Sequence, residues 1–344
     1  MAKNLLIRHL SVLLMTITLI GVGFIGFSTA VAQSTPSGDP SLVAAVEQAV
    51  TEIRGAPPAG GVLISIMTTQ DDWVFGTIII RESEHHPGVP VAFLFLARKS
   101  QVGWDVAIDY TDHFRSLIIQ SPVGLVDQVL KDIVSGVRAR GDGSLRLSLP
   151  WATNDTGWKL SGGPHNLNGY IYDEKNKVWN TNPARPWSAV DFGKENGEVR
   201  AAADGWAFSP CENLVNIRHV NNLSTSYYHL VSSPIPLDSP ETQTKETPTA
   251  IKRGDLVGKT SAQTKCGGYA NSPHVHFGIT DVTSIKKFGD LQTIVGIDIG
   301  GWTVEEGSSP YEGCLVKDNV RRCKGETIDN DGNRSRGQLG TRNW

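Results

Sequence analysis

The sequence predicts a small α+β region followed by a larger, β-rich region of antiparallel strands. Residues 41–137 contain two segments with helical spacing of apolar residues, and four runs rich in β-branched and aromatic residues lie between them. From residue 145 onward the strand-like runs are short and turn sequences such as Asp204-Gly205 are frequent, which is typical of an antiparallel sheet with long loops. The 36 glycines of the chain also favour a protein built mainly from strands and turns.

The first residues have the pattern of an export signal. Two basic residues precede a mostly apolar run over Leu10–Phe27, and Ala30-Val31-Ala32 is a typical cleavage site. We therefore expect residues 1–32 to be a signal peptide, removed from a secreted protein that begins at Gln33. The alternative, a membrane anchor, is disfavoured by the glycines of the apolar run and by the cleavage site.

The first region, residues 33–144, is predicted element by element. Residues 33–40 are a linker rich in Ser, Pro and Gly, and a helix with Ser41 as candidate N-cap follows. The expected elements are a helix over Ser41–Arg54, strands over Val62–Met67, Trp73–Arg81, Val91–Ala97 and Val102–Ile108, and a second helix over Val123–Val137. His85, His86 and His113 have no carboxylate–histidine spacing, so we expect loop or surface positions for them. Arg138–Ser144 is basic and contains glycine, which indicates an exposed linker.

The second region, residues 145–323, carries all four cysteines. They are Cys211, Cys266, Cys314 and Cys323, and in an exported chain disulfides are expected, with three possible pairings. A cysteine zinc site would need closely spaced pairs, which are missing here. The formal net charge of the chain is −3 and residues 145–344 are neutral, which disfavours a nucleic-acid-binding protein. Residues 231–248 are expected to form a surface loop and residues 324–344 a flexible polar tail.

The stretch Ser272–Ile279 holds the first candidate site residues. Apolar residues at positions 275, 277 and 279 alternate with His274 and His276, which predicts a strand that carries both histidines on one face. Two imidazoles about 6–7 Å apart along a strand can serve one site. Two surface histidines on a half-exposed strand are the alternative.

Three further stretches carry matching chemistry. His165 lies in the glycine- and proline-containing loop Gly162–Asn166, Asp191 lies in an apolar strand over Ser188–Gly193, and His229 ends a hairpin that starts at Asn213. A carboxylate among apolar neighbours is unfavourable unless it is paired or bound to a metal. Two histidines and one aspartate suit a catalytic zinc with an open position, and two histidines remain for acid–base chemistry.

The set Gly-x-His, Val-Asp-Phe, Tyr-Tyr-His and Pro-His-Val-His-Phe resembles the lysostaphin-type zinc endopeptidases, metallopeptidase family 23, with LytM-like peptidoglycan hydrolases among them. The resemblance covers residues 145–323 and is strongest to the secreted β-lytic and staphylolytic branch. It implies one zinc ion per chain, with ligands and catalytic residues at matching positions. The implied zinc ligands are His165, Asp191 and His276, and the implied catalytic residues are His229, His274 and Tyr311.

The resemblance also implies a function and an architecture. It implies a monomeric enzyme with a zinc groove between long loops, which cleaves peptide cross-links of bacterial peptidoglycan, often at glycine. The first region would be a pro-region that another protease removes, or a retained domain that targets the cell wall. The alternatives are a degenerate wall-binding or regulatory module and a zinc amidase of peptidoglycan. The branch carries two disulfides, and we expect Cys211–Cys266 and Cys314–Cys323.

The sequence departs from the family pattern between the first two ligand positions. His165 and Asp191 lie farther apart than is usual, so residues about Tyr170–Arg185 are expected to form an added loop beside the groove. The remaining histidine of this region, His219, is expected to be an exposed hairpin residue.

Overall fold

The computed structural model of the chain describes residues 39–54, 61–80, 90–136, 145–166, 170–173, 175–176, 178–181, 185–220, 223–238, 250–281 and 293–331. These residues belong to one compact unit that spans residues 36–344. The signal-peptide prediction, His85, His86 and the linker Arg138–Ser144 lie outside the described residues. Among the described helices, none has the length and apolar character needed to cross a membrane.

The first region is a four-stranded antiparallel sheet with helices on both faces. Its elements are α1 (Pro40–Arg54), β1 (Val62–Gln70), β2 (Trp73–Ile80), β3 (Val91–Ser100), β4 (Gly103–Ile108), α2 (Asp112–Gln120) and α3 (Gln128–Val134). The strands pair in chain order. The first predicted helix and all four predicted strands are confirmed. Leu42, Val46 and Val50 form the buried stripe of α1 at helical spacing, and they pack on one face of the sheet.

The predicted N-cap of α1 is wrong by two residues. The Asp39 carboxylate accepts the backbone N–H of Ser41 at 2.9 Å, and Pro40 occupies the first helical position, where its missing N–H costs nothing. Asp39 is therefore the capping residue, and the hydroxyl of Ser41 also donates to it.

The second predicted helix is shorter than expected, since only α3 lies within Val123–Val137, and α2 precedes that range and was not predicted. Thr111 caps α2 by accepting the N–H of Phe114 at 3.0 Å, and Asp127 caps α3 by accepting the N–H of Val129 at 2.6 Å. Residues 121–127 form a turn instead of a helical segment. The prediction over Val123–Val137 was wrong at its start because the cap at Asp127 was not recognised as a helix start.

The second region is built almost entirely of antiparallel strands, as predicted. They are β5 (Lys159–His165), β6 (Tyr170–Asp173), β7 (Val178–Thr181), β8 (Ala189–Gly193), β9 (Glu198–Arg200), β10 (Gly205–Cys211), β11 (Leu214–Arg218), β12 (Leu223–Tyr228), β13 (Leu230–Val231), β14 (Ala250–Ile251), β15 (Leu256–Thr260), β16 (His274–Asp281), β17 (Asp298–Ile299), β18 (Trp302–Glu306), β19 (Gly313–Lys317) and β20 (Val320–Cys323). The main sheet has seven strands in the order β14-β10-β11-β12-β16-β8-β5. Smaller sheets join β13-β15-β9, β17-β18-β19-β20 and β6-β7.

Two disulfides tie this region together, in the predicted pairing. Cys211, at the end of β10, bonds to Cys266, in the loop before β16. Cys314 in β19 bonds to Cys323 in β20, its direct partner across the two strands. The first disulfide links the loop that leads to β16 to the hairpin β10–β11.

The two faces of the seven-stranded sheet have different roles. One face packs into the main core of the second region, to which Val190, Phe192, Val275 and Phe277 contribute fully buried side chains. Since side chains alternate along a strand, Asp191, His274 and His276 lie on the opposite face. We call this opposite face the metal-bearing face.

The first region packs on that same metal-bearing face. In β10, β11 and β12 the residues Trp206, Phe208, Leu214 and Tyr228 form a buried cluster with Trp73, Phe75 and side chains of α2 and α3. Tyr228 is the direct cross-strand partner of His276, so the cluster reaches the strand that carries the candidate site. The first region therefore covers the part of the sheet that adjoins this site.

A buried ion pair lies in the same contact between the two regions. The guanidinium of Arg218 donates to Asp109 at 3.0 Å, and both side chains are almost completely buried. The Arg218 guanidinium also lies 4.1 Å from the ring centre of Tyr110, whose hydroxyl hydrogen-bonds Ser224 at 3.1 Å. Burial raises the pKa of Asp109 to about 6, although Arg218 acts to lower it. The ion pair thus joins β11 of the second region to the end of β4.

We expect Arg218→Met and Asp109→Leu each to lower the free energy of unfolding of the full chain by about 3–5 kcal/mol, because each leaves an unpaired buried charge. In the double variant the free energy of unfolding should fall by much less than the sum of the two single losses, since no unpaired charge is buried. Urea unfolding of the four proteins measures the coupling, with Arg115→Met as the control for an exposed ion pair. Strict additivity would show that the two side chains do not interact.

Three sequence predictions about loops and ends need revision. The added segment after His165 contains a hairpin, β6–β7, instead of being only a loop. The segment Gly162–Asn166 is mostly strand, because β5 continues through its bulges to His165. The predicted flexible tail is wrong for residues 324–331, since Ile328 is fully buried in the main core and its N–H donates to Trp158 O at 2.9 Å. Residues 332–344 lie outside the described residues.

Candidate metal centre

Three neighbouring strands bring the predicted ligands together. Asp191 in β8 pairs directly with His276 in β16 on one side and with Gly162 in β5 on the other. The three residues therefore form a row of cross-strand neighbours on the metal-bearing face. The register between β5 and β8 shifts between Gly162 and His165, and this irregularity turns His165 toward the row. All three candidate ligands are buried.

The donor atoms form a compact triangle. His165 Nε2 lies 3.2 Å from His276 Nδ1, His276 Nδ1 lies 3.1 Å from Asp191 Oδ1, and His165 Nε2 lies 3.5 Å from Asp191 Oδ1. Zinc binds such atoms at about 2.0–2.2 Å, and in a tetrahedral site the donors are then about 3.3 Å apart. The spacing of the three atoms therefore fits zinc with a fourth position left open.

The protonation states also suit a cation. His165 Nδ1 donates to Gly163 O at 2.7 Å, so the Nε2 lone pair points into the triangle, and burial lowers the pKa of His165 to about 4. Burial acts to raise the pKa of Asp191, but the imidazoles of His165, His274 and His276 outweigh it and hold that pKa below its usual value. At neutral pH His165 is thus neutral and the Asp191 carboxylate ionised, as metal ligands must be.

Gly162 leaves the space that the Asp191 carboxylate occupies. A Cβ at position 162 would lie 2.5 Å from Asp191 Oδ2 and 3.0 Å from a ring carbon of Tyr311. A side chain there would displace the carboxylate or the strand.

We expect Gly162→Ala to lower the affinity for zinc by about 10–100-fold, as changes beside metal ligands do, with the fold retained. Zinc retained in the presence of a competing chelator measures this. The control is Gly254→Asn, since Gly254 has φ 87°, which asparagine tolerates, and no atom lies near its Cβ position. Equal zinc affinity of Gly162→Ala and wild type would contradict the assigned place of Asp191.

Two further histidines stand beside the triangle. His274 Nε2 lies 3.8 Å from Asp191 Oδ1, and the ring of His229 lies 4.6 Å from that of His274. Each Nδ1 faces a backbone carbonyl, Ser272 O at 2.8 Å and Gln263 O at 3.0 Å respectively, so each Nε2 is left as a proton acceptor. Burial, and then the neighbouring His274, lowers the pKa of His229 to about 3. Both imidazoles therefore lie next to the donor triangle with Nε2 as the unprotonated ring nitrogen.

Tyr311 also reaches the site, and it does so through its ring. The ring stacks on His165 with 3.9 Å between ring centres and an angle of 19° between planes. Backbone hydrogen bonds join Gly163 N to Tyr311 O at 3.0 Å and Tyr311 N to Pro164 O at 3.3 Å. Tyr311 thus holds the His165 imidazole in place.

His219 does not belong to the site, and its predicted exposure is wrong. It is fully buried, its Nδ1 faces Asp204 O at 2.8 Å, and its Nε2 lies 2.8 Å from Thr225 Oγ1. Burial lowers its pKa to about 4. The two hydrogen bonds of His219 join the turn before β10 to the hairpin β11–β12. His113 is exposed, as predicted, and pairs with Asp105.

Comparison with known proteins adds the following findings. No protein-family model and no curated protein matches the sequence. The M23 metalloprotease pseudoalterin from the deep sea is 20% identical at a TM-score of 0.41, over 54% of this chain and 98% of that chain. The SpoIIQ–SpoIIIAH pore-forming complex is 15% identical at a TM-score of 0.29, over 40% of this chain and 85% of that chain. A zinc-containing peptidase from Vibrio cholerae is 13% identical at a TM-score of 0.28, over 62% of this chain and 56% of that chain. The chemistry of the site is therefore inferred from the chain's own residues.

Proposed function

We propose that the chain is a secreted zinc metalloendopeptidase that cleaves peptide cross-links of bacterial peptidoglycan at glycine-containing bonds. The observation that carries this proposal is the donor triangle of His165, Asp191 and His276 with His229 and His274 beside it. A degenerate binding module has no need for both the full ligand set and two further imidazoles. The motifs that resemble the lysostaphin-type endopeptidases support the substrate class.

Each residue has a distinct part in the proposed reaction. Zinc, when bound, would polarise the scissile carbonyl and acidify the attacking water. His165, Asp191 and His276 would hold the ion through the three atoms of the donor triangle. His229 and His274 accept the proton of the water at Nε2 and return it to the leaving amine, because their Nδ1 atoms are already engaged by backbone carbonyls.

The decisive experiment digests defined peptidoglycans with the zinc-loaded protein and identifies the products by mass spectrometry. New amino ends at glycine are the expected result. Products in which the peptide is separated from the sugar would identify an amidase instead. Zinc bound without any hydrolysis would identify a binding or regulatory module.

We also propose that the first region is a pro-region. Its packing on the metal-bearing face, up to Tyr228 beside His276, supports a role in limiting access to the site. The alternative is a domain that stays attached and directs the enzyme to the cell wall.

The active form recovered from culture fluid is expected to begin near residues 139–150, after cleavage by another protease in the linker. N-terminal sequencing of the fully active enzyme measures this. A sequence that starts only at Gln33 on fully active enzyme would refute the pro-region and favour the targeting domain.

A further inference from the structure

We infer that a basic cleft beside the donor triangle binds a carboxylate of the peptide substrate, an inference that rests on the proposed peptidase function. The basic cleft is the space of about 400 Å³ lined by Lys159, Lys324, Glu195, Ser161 and Gly193. It lies where β5 begins, β8 ends and the chain enters β16.

The strand register places the basic cleft on the metal-bearing face. Gly193 pairs with Lys159 on one side and with His274 on the other, which makes a second row across the face. This row lies two residues along β8 from Asp191, about 7 Å away at the rise of a strand. A substrate that runs extended along β8 would thus reach the basic cleft about two residues from the bond that is cut.

The floor of the cleft is formed by small residues. Gly193 contributes no side chain, and a Cβ there would lie 3.0 Å from Ser161 Cβ. Ser161 Oγ is buried and has no hydrogen-bond partner among the described residues, although it borders the cleft.

The charges of the cleft favour an anion. Lys159 and Lys324 are exposed, and neither forms an ion pair within the described part of the chain. Lys194, which also lines the cleft, is already paired with Asp155, and Glu195 is the acidic residue of the lining. The lining therefore contains two lysines outside any ion pair of the described residues and one glutamate, which is an excess of positive charge.

Lys324 is held in place by the fold. The preceding residue, Cys323, is bonded to Cys314, and the following residue donates from Gly325 N to Leu160 O at 2.7 Å. Leu160 N in turn donates to Glu326 O at 3.0 Å, so this segment runs along β5. The backbones of two lysines from separate parts of the sequence are thereby held at one end of the metal-bearing face.

The test compares glycine-rich peptides that differ only by Glu or Gln at one position. In one pair this residue stands two positions before the cleaved bond and in the other pair two positions after it. We expect the active zinc-loaded protein recovered from culture fluid to show, in one of the pairs, a kcat/KM about fivefold higher for Glu, the size expected of exposed ion pairs. The preference should weaken in high salt.

The variant Lys159→Gln/Lys324→Gln should bring the Glu-to-Gln ratio close to one. The control is Lys252→Gln, an exposed lysine beside β14 at the other edge of the sheet, which should keep the wild-type ratio. A wild-type ratio of one in both pairs, or a ratio that the double variant does not change, overturns the inference.

Failure of the proposed function is a separate outcome. If no peptide is cut, fluorescence anisotropy measures the affinity of the zinc-loaded protein for the same peptides carrying a label. The ratio of the affinities for the Glu and Gln peptides then tests the inference. Binding of a polyphosphate probe that the double variant abolishes, with no preference between the peptides, would assign the cleft to a phosphate polymer and overturn the carboxylate.

Discussion

Asp191→Asn is expected to leave the purified protein with almost no bound zinc and with no measurable hydrolysis of a glycine-rich peptide. The amide has the shape of the carboxylate, so packing around it is kept, while the negative charge between His165 and His276 is removed. We expect a loss of more than about 100-fold in zinc affinity, since changes next to ligands already cost 10–100-fold. Metal analysis after dialysis and peptide hydrolysis measure the two losses.

His165→Ala and His276→Ala should behave in the same way, because each removes one corner of the donor triangle. The matched control is His113→Ala, whose imidazole is exposed and belongs to the first region. Circular dichroism of all variants separates loss of metal from loss of fold. Full retention of zinc in His276→Ala would overturn the assignment of the ligands.

His229→Ala and His274→Ala are expected to keep nearly one zinc per chain and to slow hydrolysis by about 10²–10⁴-fold. Neither imidazole is part of the donor triangle, yet both rings lie beside it with Nε2 left as a proton acceptor. The combination of full zinc and lost turnover distinguishes these residues from the ligands. Zinc analysis and single-turnover hydrolysis on the same preparations provide the measurement.

Added imidazole should restore part of the turnover of His229→Ala, because a free base can enter the space that the side chain has left. It should not restore Asp191→Asn, whose defect is the metal. Wild-type turnover of His229→Ala without any addition would show that His229 is only a hairpin residue. The base would then have to be His274 alone.

The parts of the fold that the sequence predicts are those encoded by local pattern. The alternation around His274 and His276 is a local signal, and β16 has the predicted faces. The apolar neighbours of Asp191 and the first four strands are likewise predicted from local sequence patterns. The helix boundaries depend on the caps at Asp39 and Asp127. Other polar residues nearby are equally plausible caps, so the sequence alone does not identify these two.

The features that the sequence did not predict depend on contacts between distant segments. His219 can be buried because its Nδ1–H donates to the backbone carbonyl of Asp204 and its Nε2 hydrogen-bonds the hydroxyl of Thr225, and neither partner is adjacent in sequence. Residues 324–331 are polar and look loose, but Ile328 reaches the main core and β5 pairs with the segment. No local pattern in the sequence therefore predicts that Lys324 lies beside Lys159.

Because the first region packs on the metal-bearing face, a cut in the linker does not by itself separate the two regions. While the chain is intact, the first region docks at a high effective concentration that the linker sets. A cut removes this tether and turns the contact around Trp206 and Arg218 into one between two separate molecules. Under the proposed processing their separation depends on dilution, so at high concentration we expect the first region to stay on the sheet beside the donor triangle. We expect dilution of the cleaved protein to release it.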